Sequence, residues 1–230
     1  MQNIRWVTIG EKEIPVLISD EREALLAAKA AGRAIIGLWE QGQEMEQISA
    51  ADYVTEDMES VTEEFLERVV RRHLGMPWNI CETERLRIRE ICVDDFEEIQ
   101  DRNIGPGFEA REELMAYIKN QYGFYEFGLW AVIEKLSGNL VGAAGLKIPL
   151  EEGQDQNYDV FALPVPGGCA EVTLELGYHI FEEYRCRGYA KECCQAILQY
   201  GIEELDAAVL KCGLQRVMKF QEIWLESLVS

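Results

Sequence analysis

Two kinds of hydrophobic spacing alternate along the chain. IRWVTI, IPVLIS and AIIGLW are short apolar or alternating runs of the kind that form strands. Between the last two, EREALLAAKAA keeps helical spacing, with Asp20 placed to cap its start and Gly32 to end it. A short strand around DYVT leads to a helix over MESVTEEFLERVVRRHLG, where Val61, Phe65, Leu66, Val69 and Val70 share one face. This order predicts a small βαβ domain with a parallel sheet over residues 1–76. Gly75 and Pro77 punctuate the end of that helix, and residues 77–81 read as a linker.

From residue 82 the order changes. ERLRIREI alternates as a strand, with Leu86 and Ile88 on one side and arginines on the other. VDDFEEIQ starts a short helix capped by Asp94 or Asp95, and EAREELMAYIKN is a second helix. FGLWAVIEK and LVGAAGLKI form a strand hairpin around Leu136-Ser137-Gly138-Asn139. PLEEGQDQNYDVFALPVPGG is long, polar and proline-containing, too irregular for sheet. EVTLELGYHI is the next strand, and a long amphipathic helix follows, anchored by Cys194, Ile197, Leu198, Ile202 and Leu205.

Composition narrows the function classes. With 48% hydrophobic residues, 230 residues can bury one large core or two modest ones. No apolar run nears the roughly 20 residues that cross a bilayer, and the first residues lack the layout of a secretory signal. The expected location is the cytoplasm. A net charge of −20 repels nucleic acid and anionic membranes, so neither is an expected partner; it would suit a cationic amine substrate, and solubility explains it equally well. Seven cysteines, an odd number without a C-x-x-C pair, read as reduced thiols and give no metal site.

One junction reverses the local sign of charge. Arg185-Cys186-Arg187-Gly188-Tyr189-Ala190 joins the last strand to the long helix. Backbone N–H groups in the first turn of a helix have no intrahelical acceptor and carry partial positive charge, so such a junction can hold a phosphate. Gly188 lets backbone approach closely, Ala190 leaves room at the first turn, and two arginines add charge. A surface turn that happens to hold Arg and Gly is the alternative.

The order strand, two helices, hairpin, strand, then Arg-x-x-Gly-x-Ala opening a helix resembles the GCN5-related N-acetyltransferase (GNAT) superfamily over residues 82–212. ETERLRIREICVDDFEEI, GNLVGAAGL and ELGYHIFEEYRCRGYAKE are similar to its ribosomal-protein alanine acetyltransferase branch. The resemblance implies an α/β fold, a mixed twisted sheet with flanking helices, here preceded by a small Rossmann-like βαβ domain. It implies acetyl-CoA as co-substrate and no metal. Residues 185–190 would wrap the diphosphate, and His179 and Ile180 would hydrogen-bond the pantetheine arm as an added strand. The acceptor would be a primary amine of a small molecule or a protein N-terminus, with Glu175 as candidate base. A solvated strand-face Glu is the alternative at that position, His179 is a second candidate base, and Tyr178 and Tyr189 read as packing residues. Residues 15–38 also resemble the later part of haloacid-dehalogenase-type hydrolases, but that family's Asp-x-Asp element is absent.

After LDAAVLKC the family resemblance implies an Asn-x-x-Ser helix, a Lys-Leu-Gly-Phe-like turn and two more strands. GLQRVMKFQEIWLESLVS stands there instead. Read one frame over, synonymous codons for Val217 to Ser230 can spell Asn-Glu-Ile-Ser-Arg-Asn-Leu-Ala-Gly-Lys-Leu-Gly-Phe. The expectation is a frameshift near Lys211 or Cys212, leaving an atypical tail over 213–230, the last two strands missing and a sheet edge exposed. Val217, Phe220, Ile223 and Trp224 keep helical spacing that would cover part of that edge. A catalytically inactive CoA-binding or scaffold protein is therefore the alternative to an active enzyme.

Overall fold

Only Gly10 and Glu11 separate the first two strands, too short a link for parallel neighbours, which need a crossover of a dozen or more residues. In a computed structural model, which describes residues 2–39, 42, 44–149, 158–164, 169–205 and 207–215, they pair antiparallel. β1 (Gln2–Ile9) and β2 (Lys12–Ser19) turn at Gly10, whose φ is +62°. β3 (Ala34–Leu38) and β4 (Val54–Thr55) then add in parallel, in the order β1-β2-β3-β4. The expected all-parallel sheet is thus corrected to a mixed one.

Helices cover both faces of this sheet. Leu25 and Ala28 of α1 (Arg22–Ala30) cluster with Leu17 and Ile35, while Leu66, Val69 and Val70 of α2 (Glu63–His73) cluster with Val16, Ile18 and Ile36. The Thr62 hydroxyl caps α2 by accepting from Phe65 N at 3.1 Å. At α1 the expected Asp20 cap is replaced: Glu21 is the boundary residue and has no side-chain cap, and Ser19 Oγ accepts from Glu21 N at 3.1 Å.

The chain divides into two compact units, Met1–Trp78 and Asn79–Ser230. The second contains β5 (Asn79–Glu82), β6 (Leu86–Glu90), β7 (Leu129–Glu134), β8 (Leu140–Lys147), β9 (Tyr158–Pro164), β10 (Cys169–Ile180) and β11 (Ala207–Gln215). Their order is β5-β6-β7-β8-β10-β11-β9, and only β10 and β11 run parallel. α6 (Tyr189–Glu203) buries Cys193, Cys194, Ile197 and Leu198 in one core cluster with Leu174, Leu176 and Ile180 of β10. A second cluster joins Phe96 and Ile99 of α3 (Phe96–Ile99) and Leu114 of α4 (Arg111–Tyr117) to Ala131, Leu140 and Phe181. α4 runs through a π-turn at Ile118–Tyr122 into the single turn of α5 (Gly123–Tyr125).

Two expectations about the sheet change. The segment expected to be irregular contains β9, antiparallel to β11 with Leu163 opposite Leu210. Its partner lies far along the chain, so no local pattern announced it. The outer side of β11 is accordingly paired, not an exposed edge. Residues 216–230, where most of the atypical tail and its helical spacing fall, lie outside the described residues.

The centre of the sheet depends on close approach. Gly145 of β8 sits opposite Leu129 of β7 and Gly177 of β10, and a Cβ on it would collide with the Gly128 carbonyl. At Gly177 a Cβ would meet nothing within 4 Å. Gly145→Ala should therefore cost about 1–3 kcal/mol, read as a lowered urea midpoint. Gly177→Ala should leave the midpoint nearly unchanged, and equal midpoints for the two variants would contradict this packing.

Candidate active site

The parallel ladder between β10 and β11 ends at Leu176 and Cys212. Beyond it, β10 continues to Ile180 against β8, and β11 continues to Gln215 against β9. The chain then leaves β10 through buried Phe181, whose N–H donates to the Val141 carbonyl at 3.0 Å. A one-turn 3-10 segment, Glu182–Tyr184, leads into the Arg-Cys-Arg-Gly loop and α6.

That loop is built from backbone that ordinary residues avoid. Cys186 has φ +61° and Gly188 φ +84°, both left-handed, with Arg187 between them. Turns of this kind can converge successive N–H groups into an anion-binding concavity. Gly188 is the N-cap of α6 and supplies no side chain to the first turn, so the helix start lacks a side-chain cap. A Cβ at Gly188 would lie 3.3 Å from Arg85 Nη2, so substitution there disturbs both the backbone and that guanidinium.

The loop arginines brace its shape as well as its charge. Arg185 Nε donates to the Ile180 carbonyl at 3.0 Å, and Arg187 Nη2 donates to the Glu183 carbonyl at 2.9 Å. Arg187 also lies over the Tyr184 ring, 5.2 Å from its centroid. Arg85, which the sequence reading did not single out, is a third cation here: its Nη1 donates to the Arg187 carbonyl at 3.0 Å. Tyr189 is buried and packs as expected, and its hydroxyl donates to Glu134. Ala190 is half-buried beside the same core.

Glu175, Gly177 and His179 alternate onto one side of β10. By register Glu175 stands between Lys147 of β8 and Lys211 of β11, and Lys147 Nζ is 3.0 Å from its carboxylate. The side chain is therefore half-buried and ion-paired, not freely solvated. Lys147 was missed because its register opposite Glu175 depends on an intervening segment of more than twenty residues. Glu175 and His179 are four residues apart, roughly 13 Å along a strand. The structure thus gathers His179, Ile180 and residues 185–190 at one end of β10 and leaves Glu175 further up the strand.

Burial, and then the nearby Arg185 charge, lower the His179 pKa below its ordinary 6.5. Glu134 lies below the usual carboxylate range because Ser137 and then Tyr189 hydrogen-bond to it. Among the described residues no cluster of His, Cys, Asp or Glu could hold a metal ion, and no helix is long and apolar enough to cross a membrane.

The residues fit a diphosphate carrier: an uncapped helix start of fifteen residues, a left-handed loop and three arginines. Residues 85–219 match the family model described as "Acetyltransferase (GNAT) domain", a stretch longer than half of the chain. The protein belongs to the GNAT family of N-acetyltransferases, which use acetyl-CoA. It is similar to a GNAT-family acetyltransferase from Bacillus anthracis, at 21% identity and TM-score 0.44, covering 64% of this chain and 80% of that one. An acetyltransferase from Agrobacterium tumefaciens is similar at 19% identity and TM-score 0.45, covering 64% and 81%. A ribosomal-protein-S5-alanine acetyltransferase from Vibrio fischeri is similar at 11% identity and TM-score 0.48, covering 64% and 80%. The family match starts beyond the amino-terminal unit, and the haloacid-dehalogenase likeness of residues 15–38 finds no support.

Two outcomes follow from this geometry. A left-handed non-glycine residue costs roughly 1–2 kcal/mol, partly offset by glycine's unfolded-state entropy, so Cys186→Gly should stabilise the fold by about 0.5 kcal/mol, read from urea unfolding. Because folding lowers the His179 pKa, the unfolded chain takes up its proton first as the pH falls below 6.5. Stability from this group is complete above that value and declines beneath it. His179→Gln should flatten this part of a melting-temperature profile recorded from about pH 7.5 to 5.

Proposed function

We propose that the protein transfers an acetyl group from acetyl-CoA to the primary amine of a small molecule or of a protein N-terminus, acting in the cytoplasm. The observation that carries this reading is the side-chain-uncapped start of α6 behind a left-handed, arginine-braced loop, in a chain whose net charge is −20. Residues 185–190 hold the diphosphate through main-chain N–H groups and the helix's partial positive charge. The end of β10 at His179 and Ile180, beyond its ladder with β11, takes the pantetheine arm in strand fashion. Arg185 already engages one lone pair of the Ile180 carbonyl, which fixes that strand end against the loop.

Bound acetyl-CoA supplies an activated thioester. Glu175 accepts the proton that the attacking amine must lose, directly or through one water, and Lys147 holds its carboxylate in place. The open space beside Gly177, on the same side of β10 as Glu175, gives the amine room to approach. The roughly 13 Å between Glu175 and the strand end suits a long co-substrate whose anionic and reactive ends lie apart. The amino-terminal unit, residues 1–76, contributes to the choice of substrate or partner.

Calorimetry with CoA, and thiol release with acetyl-CoA and a panel of amines, test the reading. Gly188→Val should abolish CoA binding while the fold persists by circular dichroism. Glu175→Gln should lower kcat by about 100-fold or more and leave CoA affinity unchanged. CoA binding without turnover of any amine would favour the binding-protein alternative. Absence of heat with the unaltered chain would remove the assignment of the loop.

A further inference from the structure

The first turn of α6 contains an acid, Glu192, where the family reading places a diphosphate. A free carboxylate there would repel that ligand. Its environment removes this conflict. Oε1 accepts from Thr83 Oγ1 at 2.5 Å and from Arg85 N at 2.9 Å, while Oε2 accepts from Arg85 Nε at 2.7 Å and lies 2.5 Å from Arg85 Nη2. Burial disfavours the charge, but the hydrogen bonds from Thr83 and Arg85 outweigh it and keep the carboxyl below its usual range. Both oxygens are thus engaged by the turn between β5 and β6.

The same guanidinium continues into the loop. Its remaining nitrogen, Nη1, donates to the Arg187 carbonyl at 3.0 Å, and its Cζ lies over the Tyr189 ring, 4.8 Å from the centroid. One planar fork therefore ties the helix carboxylate to the carbonyl between the two left-handed residues. Lysine, with a single ammonium, cannot span both. An exposed ion pair usually contributes little, yet this one is bidentate, stacked and joined by a backbone N–H and a hydroxyl.

We propose that Thr83, Arg85 and Glu192 form a positioning clamp that fixes the diphosphate loop in its ligand-ready conformation and turns the Glu192 carboxylate away from the bound anion. This rests on the reading of residues 185–190 as the diphosphate site. The clamp acts through the loop and sets CoA affinity, not the chemistry at Glu175.

The test titrates CoA by calorimetry into the full chain and into Arg85→Lys, Glu192→Gln and Thr83→Val, each well below its own melting temperature. Electrostatics alone would make Glu192→Gln bind more tightly, since a negative charge leaves the site, and Arg85→Lys bind about the same. The clamp requires the opposite: affinity falls about tenfold in both, as expected for a lost hydrogen bond to a charged group, and less in Thr83→Val. A merely structural ion pair would lower melting temperatures and leave the affinity of the folded protein unchanged. If the unaltered chain binds CoA and the variants bind equally or more tightly, the clamp is wrong while the site reading stands. If the unaltered chain does not bind, both are wrong. Should Arg85→Lys fail to fold, the sign of the change in Glu192→Gln decides.

Discussion

The start of α6 is the constraint from which the rest of the site follows. A helix cannot satisfy its own first N–H groups, and here Gly188 leaves them without a side-chain cap. Such groups must find water or an anion. Three arginines surround this start: Arg185 and Arg187 brace the loop through backbone carbonyls, and Arg85 reaches it from the turn between β5 and β6. The chain as a whole carries a net charge of −20, and the acids nearest these arginines are engaged by neighbours. Glu192 is held by Thr83 and Arg85, and Glu134 is occupied by Ser137 and Tyr189.

The sheet supplies the second half of the site. β10 leaves its ladder with β11 after Leu176 and continues against β8, so its last residues border the loop while Glu175 remains in the fully paired part. Gly145 lets β7 and β8 approach closely, and Gly177 beside it leaves open space on the side shared by Glu175 and His179. Rigid strand backbone thus places the Glu175 carboxylate, the open space at Gly177 and the strand end that leads into the arginine loop at fixed intervals. Loops alone would hold them less reproducibly.

The amino-terminal unit has a different design. Its parallel strands β2 and β3 are covered on one face by α1 and on the other by α2, and an antiparallel β1 extends the sheet on one side. Its buried hydrophobic residues fall mainly into the clusters on those two faces, while Ile4, Trp6 and Leu26 remain exposed. The family match does not extend to it.

Sequence alone determined what depends on near neighbours. The hairpin at Leu136–Asn139, the face of α6 built on Cys194, Ile197 and Leu198, and the glycine turn that opens α6 at Gly188 were legible, because strand alternation, helical spacing and glycine geometry act over a few residues. Only the tertiary structure decided which distant segments meet. Nothing local could reveal β9 against β11, Lys147 beside Glu175, or Arg85 on Glu192, which are 107 residues apart. The antiparallel β1–β2 pairing is the contrary case, since the two-residue link at Gly10 and Glu11 carries it locally although the strand pattern does not. Period specifies which face a residue presents, while its partner is chosen by chain closure and packing, where distance along the sequence carries little information.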